Sequence, residues 1–330
     1  MQEILAVTFP FFALVLLGYL AMQRGMLPES AIPGLNGFVL FFALPCMLFR
    51  FGASMPFAQL IDPVLIGIYV LCALVMVLFT IGFTLQRAPG GPGVPMKDAA
   101  FGALVAAFPN SGFMGFPLLI GLLGERSAGP LIGCILVDLV ITSSLCLALA
   151  QWRPTSDSGT PHGVWGSFWR AMRGAFSNPL PWAIALGAVF AALQVSLPGP
   201  VSDIIRMLGD SATPVALFTI GAVLWRAQQH VHSRTPPSQF VPVALIKLLV
   251  HPMLVLSGGL IAHAAGLEVS RFGLLVLVLS SALPSASNVA ILAERYGADN
   301  GRITRIIMVS TALAFITFSV MAWAFGVKRV

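Results

Sequence analysis

The chain has 330 residues, 58% of them apolar and only 9% charged, with a mean hydropathy of +0.92. A soluble domain carries about 25% charge, so a water-soluble enzyme and a disordered chain are both excluded: too little of the sequence could face water. The net charge of +6 comes from basic residues scattered through short segments between apolar runs, which fits orientation in a membrane and not nucleic-acid binding.

Ten apolar spans are predicted, at 4–22, 35–53, 62–85, 99–121, 128–150, 179–197, 204–225, 240–262, 272–292 and 304–326. Each suffices to cross ~30 Å of hydrocarbon at about 1.5 Å per residue, and such long runs exclude the short alternating strands of a β-barrel. The first is read as a span and not a cleaved signal, because no Lys or Arg precedes it. Asn36 in the second is either a scaffold-side substrate contact or a helix-packing hydrogen bond.

The fourth span carries Ala107-Phe108-Pro109-Asn110-Ser111-Gly112, and Gly112, Gly115 and Gly121 read as sites of close helix contact. The fifth contains Asp138, and the eighth holds Lys247 and His251, four residues apart on one helical face. An unpaired charge at such depth is costly. Asp138 is therefore expected to pair with Lys247, either as a structural anchor or in proton coupling or substrate sensing. His251 is either a hydrogen-bonded interior histidine or a proton relay. The ninth span carries Ala282-Leu283-Pro284-Ser285-Ala286-Ser287-Asn288. Cys46, Cys72, Cys134 and Cys146 all lie in apolar runs, with no metal spacing and no disulfide framework.

The longest loop, 151–178, places Trp165, Phe168, Trp169, Met172 and Phe176 at helical spacing beside Arg170 and Arg173. This pattern suits a short interfacial helix on anionic headgroups, or a partner-docking helix. Segments after odd-numbered spans hold eleven Lys and Arg, against six on the other side, so the former are expected in the cytoplasm and both termini in the periplasm.

Pro109 and Pro284 lie 175 residues apart (284 − 109), and the same offset carries the start of span 1 onto span 6 and the end of span 5 onto span 10. Two five-span halves follow. Five is odd, so the second half enters the membrane from the opposite side: an inverted repeat, common in secondary transporters. Proline in mid-helix removes a backbone donor, and a broken helix in hydrocarbon is tolerated where it is buried in protein or lines a wet cavity. Two such breaks at mid-depth would direct half-helix N-termini, each partially positive, at one place suited to a carboxylate. The bland alternative is a pair of ordinary proline kinks.

AAFPNSGFMGFPLL at 106–119 and ALPSASNVAILAERYGAD at 282–299 resemble the bacterial branch of the auxin efflux carrier family, whose members include plant auxin exporters and malonate-transporter-like proteins. LNGFVLFFALPCMLF at 35–49, SNPLPWAIALG at 177–187 and ATPVALFTIGAVL at 212–224 extend the likeness over nearly the whole chain. The resemblance implies helices 4 and 9 crossing at prolines, a scaffold of spans 1, 2, 6 and 7 that is often dimeric, and a moving unit of spans 3–5 and 8–10. It also implies elevator-type transport of an organic anion. By motif, Pro109 and Asn110 match the first crossover and its substrate-contacting amide, and Pro284 and Ser285 match the second; the residue after the second proline differs in plant members.

The expected fold is an all-α polytopic membrane protein. Residues 1–150 form the first five-helix repeat, 151–178 a cytoplasmic loop, and 179–330 the inverted repeat. The expected function is secondary transport of a mono- or dicarboxylate across a bacterial inner membrane by a lipid-embedded homodimer. Pro109, Asn110, Ser111, Pro284, Ser285, Ser287 and Asn288 are the candidate substrate residues. No cofactor is implied. Proton coupling is open, and sodium is not supported because no acidic cluster flanks either crossover. A channel would need a filter or a charged ring, a sensor an output domain, and an intramembrane serine hydrolase a GxSG-type signature; none is visible. ATP coupling is excluded by the lack of a GxxxxGK[ST] run.

Overall fold

The computed structural model describes residues 2–54, 62–86, 94–151, 179–229 and 235–327. The interfacial helix expected at 165–176 lies outside the described residues. The described chain is helical: α1 Gln2–Gln23, α2 Ala31–Ser54, α3 Pro63–Gln86, α4 Met96–Ala107, α5 Ser111–Leu123, α6 Glu125–Ala150, α7 Pro179–Ala192, α8 Gly199–Gln229, α9 Pro237–Ala264, α10 Arg271–Ser281, α11 Asn288–Arg295 and α12 Asn300–Ala324. Seven of these (α1, α2, α3, α6, α8, α9 and α12) are long and apolar enough to cross a membrane. Exposed Leu71 and Leu78 on α3, Leu260 and Ile261 on α9, and Trp182 and Leu186 on the shorter α7 form a surface suited to lipid and not to water.

The expected spans 4, 6 and 9 are not single membrane-length helices. Spans 4 and 9 each divide at their proline, into α4 with α5 and α10 with α11. Span 6 was expected to run to residue 197, but α7 ends at Ala192, where Gln194 adopts a positive φ of 52° ahead of Pro198 and Pro200. Three helix starts are capped by a side-chain oxygen. Asp62 Oδ1 accepts from the Val64 and Leu65 amides, Ser270 from Gly273, and Asp299 from Arg302.

The helices sort into two bundles. In one, α1 lies along α8, and α7 lies along the second half of α2. Both contacts are backbone against backbone. A Cβ on Gly18 would fall 1.9 Å from the Phe218 carbonyl oxygen, and one on Gly221 1.9 Å from that of Val15. At the other contact, Gly52 would meet the Ile184 oxygen at 2.7 Å and Gly187 that of Phe49 at 2.3 Å. Lipid tails are as apolar as leucine, so helices in a membrane associate through such close packing and not by escape from water. The other bundle comprises α3–α6 and α9–α12: α3 packs on α4 and α9, α4 on α6, and α9 on α10 and α12. The bundles touch where α1 meets α5 and α12, and where α8 meets the first turn of α5. Within the second bundle, π-helical turns occupy Asp138–Thr142 of α6, Ile246–Val250 of α9 and Ser111–Gly115 of α5. Such turns insert a residue into the ladder and often accompany functional sites.

Candidate functional site

The two broken helices meet, and the proline arithmetic explains how. Pro109 has no N–H to offer the turn before it, so α4 stops at Ala107 and Phe108 swings to φ −101°, ψ 98°. Pro284 does the same to α10: the Leu283 amide falls back on the Ser280 carbonyl at 3.2 Å, and the Ser281 carbonyl loses its helical partner. The two extended stretches lie antiparallel and pair. Asn110 N donates to Pro284 O at 2.8 Å, and Ala286 N to Phe108 O at 3.0 Å. Beyond the bridge, α5 opens on the Asn110 carbonyl, which accepts from Met114 and Gly115, and α11 opens at Asn288. Both half-helix N-termini, the positive ends of their dipoles, therefore flank one backbone crossing.

The side chains at the crossing are buried and partly unsatisfied. Asn110, Ser111 and Ser285 are all at most 2% exposed, and Ser287 and Asn288 are half-buried. Asn110 Oδ1, Ser285 Oγ and Asn288 Oδ1 have no hydrogen-bond partner. Each such orphan costs about 1–3 kcal/mol, and the three belong to the residues that follow the two prolines and open α11. The Ser111 hydroxyl is instead taken by Ser280 at 2.9 Å. Gly112 departs from expectation: a Cβ there would meet nothing within 4 Å, so this glycine opens space over the first turn of α5. Gly115 does sit in a close contact, 2.4 Å from a Leu283 methyl, whereas at Gly121 the nearest atom is an ordinary 3.5 Å away. Asn36 is half-buried early in α2, on the other bundle, and makes none of the hydrogen bonds that knit the crossing.

Asp138, Lys247 and His251 are each fully buried in the bundle that holds the crossing. The expected direct ion pair between Asp138 and Lys247 is not formed. Asp138 is occupied by Tyr69, whose hydroxyl donates at 3.0 Å, and by Thr142 at 3.2 Å. Lys247 Nζ donates to the orphaned Ser281 carbonyl at 2.7 Å and lies 3.0 Å from His251 Nδ1. The His251 and Tyr69 rings pack at 6.1 Å between centroids, closing the gap between the two charges.

Residues 4–322 match the family model described as membrane transport protein. The chain belongs to that family. It is the auxin efflux carrier family that the crossover motifs resemble. A Rhizobium meliloti (strain 1021) protein named "Putative malonate transporter" is 28% identical over 96% of this chain and 94% of its own length. An uncharacterized transporter of Escherichia coli (strain K12), YfdV, is 25% identical over 95% and 93%. Auxin efflux carrier component 8 of Arabidopsis thaliana is 23% identical over 89% of each chain. The chain is thus a multi-pass membrane transporter, and its family relatives are transporters, not enzymes.

Sequence reasoning passes over several polar partners of this family member. Tyr69, Ser280, Ser281 and Ser310 are uncharged and embedded in apolar runs; Ser310 Oγ accepts from the Ser285 amide at 3.2 Å, replacing that amide's helical partner. Helical spacing from Pro284 would have flagged Ser280 and Ser281, since both sit in the turn whose carbonyls the proline strands. Arg302, counted among the loop charges, is 2% exposed and ties three helices, donating to the Asp98 carbonyl at 2.9 Å and the Gln239 carbonyl at 3.1 Å.

Proposed function

We propose that this chain is a secondary carrier for a small carboxylate, held at the Pro109–Ser285 crossing. The carrying observation is the set of unpaired buried atoms on Asn110, Ser285 and Asn288, placed between two half-helix N-termini and beside the open space over Gly112. Backbone dipoles favour negative charge there, and the amides and hydroxyl supply directional hydrogen bonds. Anion chemistry agrees with the printed name of the Rhizobium relative, which makes malonate the first probe.

The carrier is read as ten spans in two inverted halves, counting α4 with α5 and α10 with α11 as single broken spans. The glycine contacts support this reading. One offset relates Gly18 to Gly187 and Gly52 to Gly221 (187 − 18 = 221 − 52 = 169), so the α1–α8 contact and the α7–α2 contact are exchanged by it. Movement of the crossover bundle against the glycine-locked bundle would give elevator-type alternating access. A homodimer through the locked bundle, a bacterial inner-membrane location and periplasmic termini complete the proposal.

The test is flux. Purified protein in liposomes is offered radiolabelled malonate and a panel of mono- and dicarboxylates. Saturable, protein-dependent uptake supports the carrier. Absence of uptake and of counterflow for every panel member overturns it, and unitary currents would point to a channel.

A further inference from the structure

We propose that the Asp138, Tyr69, His251 and Lys247 cluster is the proton site of this carrier, taking up one proton when an anion settles at the crossing. The proposal rests on the carrier reading and adds its coupling ion.

The cluster lies directly behind the crossing and is wired to it. Ser111, first residue of α5, bonds Ser280, and the next residue, Ser281, gives its stranded carbonyl to Lys247. Whatever moves the broken end of α10 therefore moves the partner of Lys247. Asp138 and Lys247, an acid and a base, are both fully buried, yet they do not pair directly. The cluster is neutral whether its proton rests on the carboxyl, leaving an amine, or on the amine, leaving a carboxylate. A carboxylate arriving at the crossing adds a negative charge in a low-dielectric interior, where such charges act over longer range than in water. One more proton on the cluster restores neutrality, so proton and anion binding assist each other, reciprocally and by the same factor.

The structure offers that proton two basic positions, the Lys247 amine when uncharged and the Asp138 carboxylate when ionised, with a water-sized cavity beside them. His251 Nε2 is buried without a partner, while Nδ1 faces Lys247. A narrow cavity of about 10 Å³, roughly the room of one water, is lined by Asp62 at the start of α3 and by Tyr69 and Cys134 deeper in. Its lining includes Tyr69, the residue that bonds Asp138. Buried free thiols stand on the neighbouring helices, Cys134 on α6 and Cys72 on α3. Lys97 and Asp98 sit at the start of α4 and Arg271 at the start of α10. From α12, Arg302 is held at the Gln239 carbonyl in the first turn of α9, and Arg305 at Thr235 just before it.

Wild-type protein, Lys247→Gln and the charge-neutral double variant Asp138→Asn/Lys247→Gln are compared in liposomes and in detergent. In wild type, malonate binding takes up about one proton in weakly buffered dye solution, and an inward acid gradient speeds uptake by about fivefold or more, an ordinary coupling strength. Both variants retain malonate counterflow but lose the gradient response. Malonate binding without proton uptake by wild type, or an undiminished gradient response in the double variant, overturns the proposal. A ligand-free arm stands apart from the carrier reading. The stability difference between wild type and the double variant changes with pH if the cluster exchanges a proton; a difference constant from pH 5 to pH 9 contradicts it. Failure of malonate and the whole carboxylate panel to bind, with this pH dependence intact, removes the carrier reading and leaves the proton site.

Discussion

In the α1, α2, α7 and α8 bundle, the buried polar side chains among the described residues are Thr8 and Thr219, and each hydroxyl donates to a carbonyl of its own helix. The crossover bundle buries an aspartate, a lysine, a histidine and an arginine, with Asn110 and a series of serines and threonines. Both bundles bury small side chains, but at opposite ends of their chemistry. The first uses glycine to bring backbones into contact and leaves nothing to respond to a solute. The second keeps polar atoms in an environment where each is expensive, and leaves three of them unpaired at one crossing. Close backbone packing and unpaired polar atoms are thus divided between two sets of helices.

The contrast is sharpened by substitution, starting with the contact that tolerates least. Gly221→Val would drive a side chain into the Val15 carbonyl, 1.9 Å from the Cβ position, and separate α1 from α8. Overpacking alone costs about 1–3 kcal/mol, and against backbone the loss should exceed about 3 kcal/mol. Thermal unfolding in detergent would read a large fall in Tm; an unchanged Tm would deny the locked contact.

Arg302→Met removes the donors to the Asp98 and Gln239 carbonyls and leaves both without their charged partner. Loss of two charge-assisted bonds, at the lower end of about 1.5–3 kcal/mol each, predicts a destabilisation of about 3 kcal/mol, read as a fall in Tm. The crossover residues should behave in the opposite manner. Asn110→Ala and Ser285→Ala remove unsatisfied buried atoms, so stability should hold or rise by about 1 kcal/mol, while carboxylate binding weakens about tenfold or more each. Binding calorimetry alongside unfolding separates the two effects. The smallest change is expected at Arg50→Ala. Its ion pair with Asp210 is short, at 2.6 Å, but both side chains are exposed, at 41% and 61%, and such pairs contribute about 0–1 kcal/mol.

Much of this architecture is legible from residues alone, for physical reasons. Continuous apolar runs announce membrane-length helices. Pro109 and Pro284 strand backbone groups wherever they fall in a helix, so the breaks at Ala107 and Ser281 follow from two letters. Small polar residues after each proline announce a crossing that is not packed with hydrocarbon. What escapes is anything set by the third dimension. Asp138 and Lys247 invite an ion pair on paper, yet Tyr69 and the Ser281 carbonyl are nearer competitors. Tyr69 looks like one more apolar residue of α3 until its hydroxyl is seen against a carboxylate. The glycines divide in the same way: Gly221 and Gly112 are identical in sequence terms, but one is pressed against backbone and the other faces open space.

The central claim is that the crossing holds a carboxylate, and calorimetric titration of malonate into purified wild type and an Asn110→Ala/Ser285→Ala double variant tests it most directly. Wild type should bind malonate saturably, and the comparably stable double variant at least a hundredfold more weakly. Equal affinity in the two proteins would contradict it.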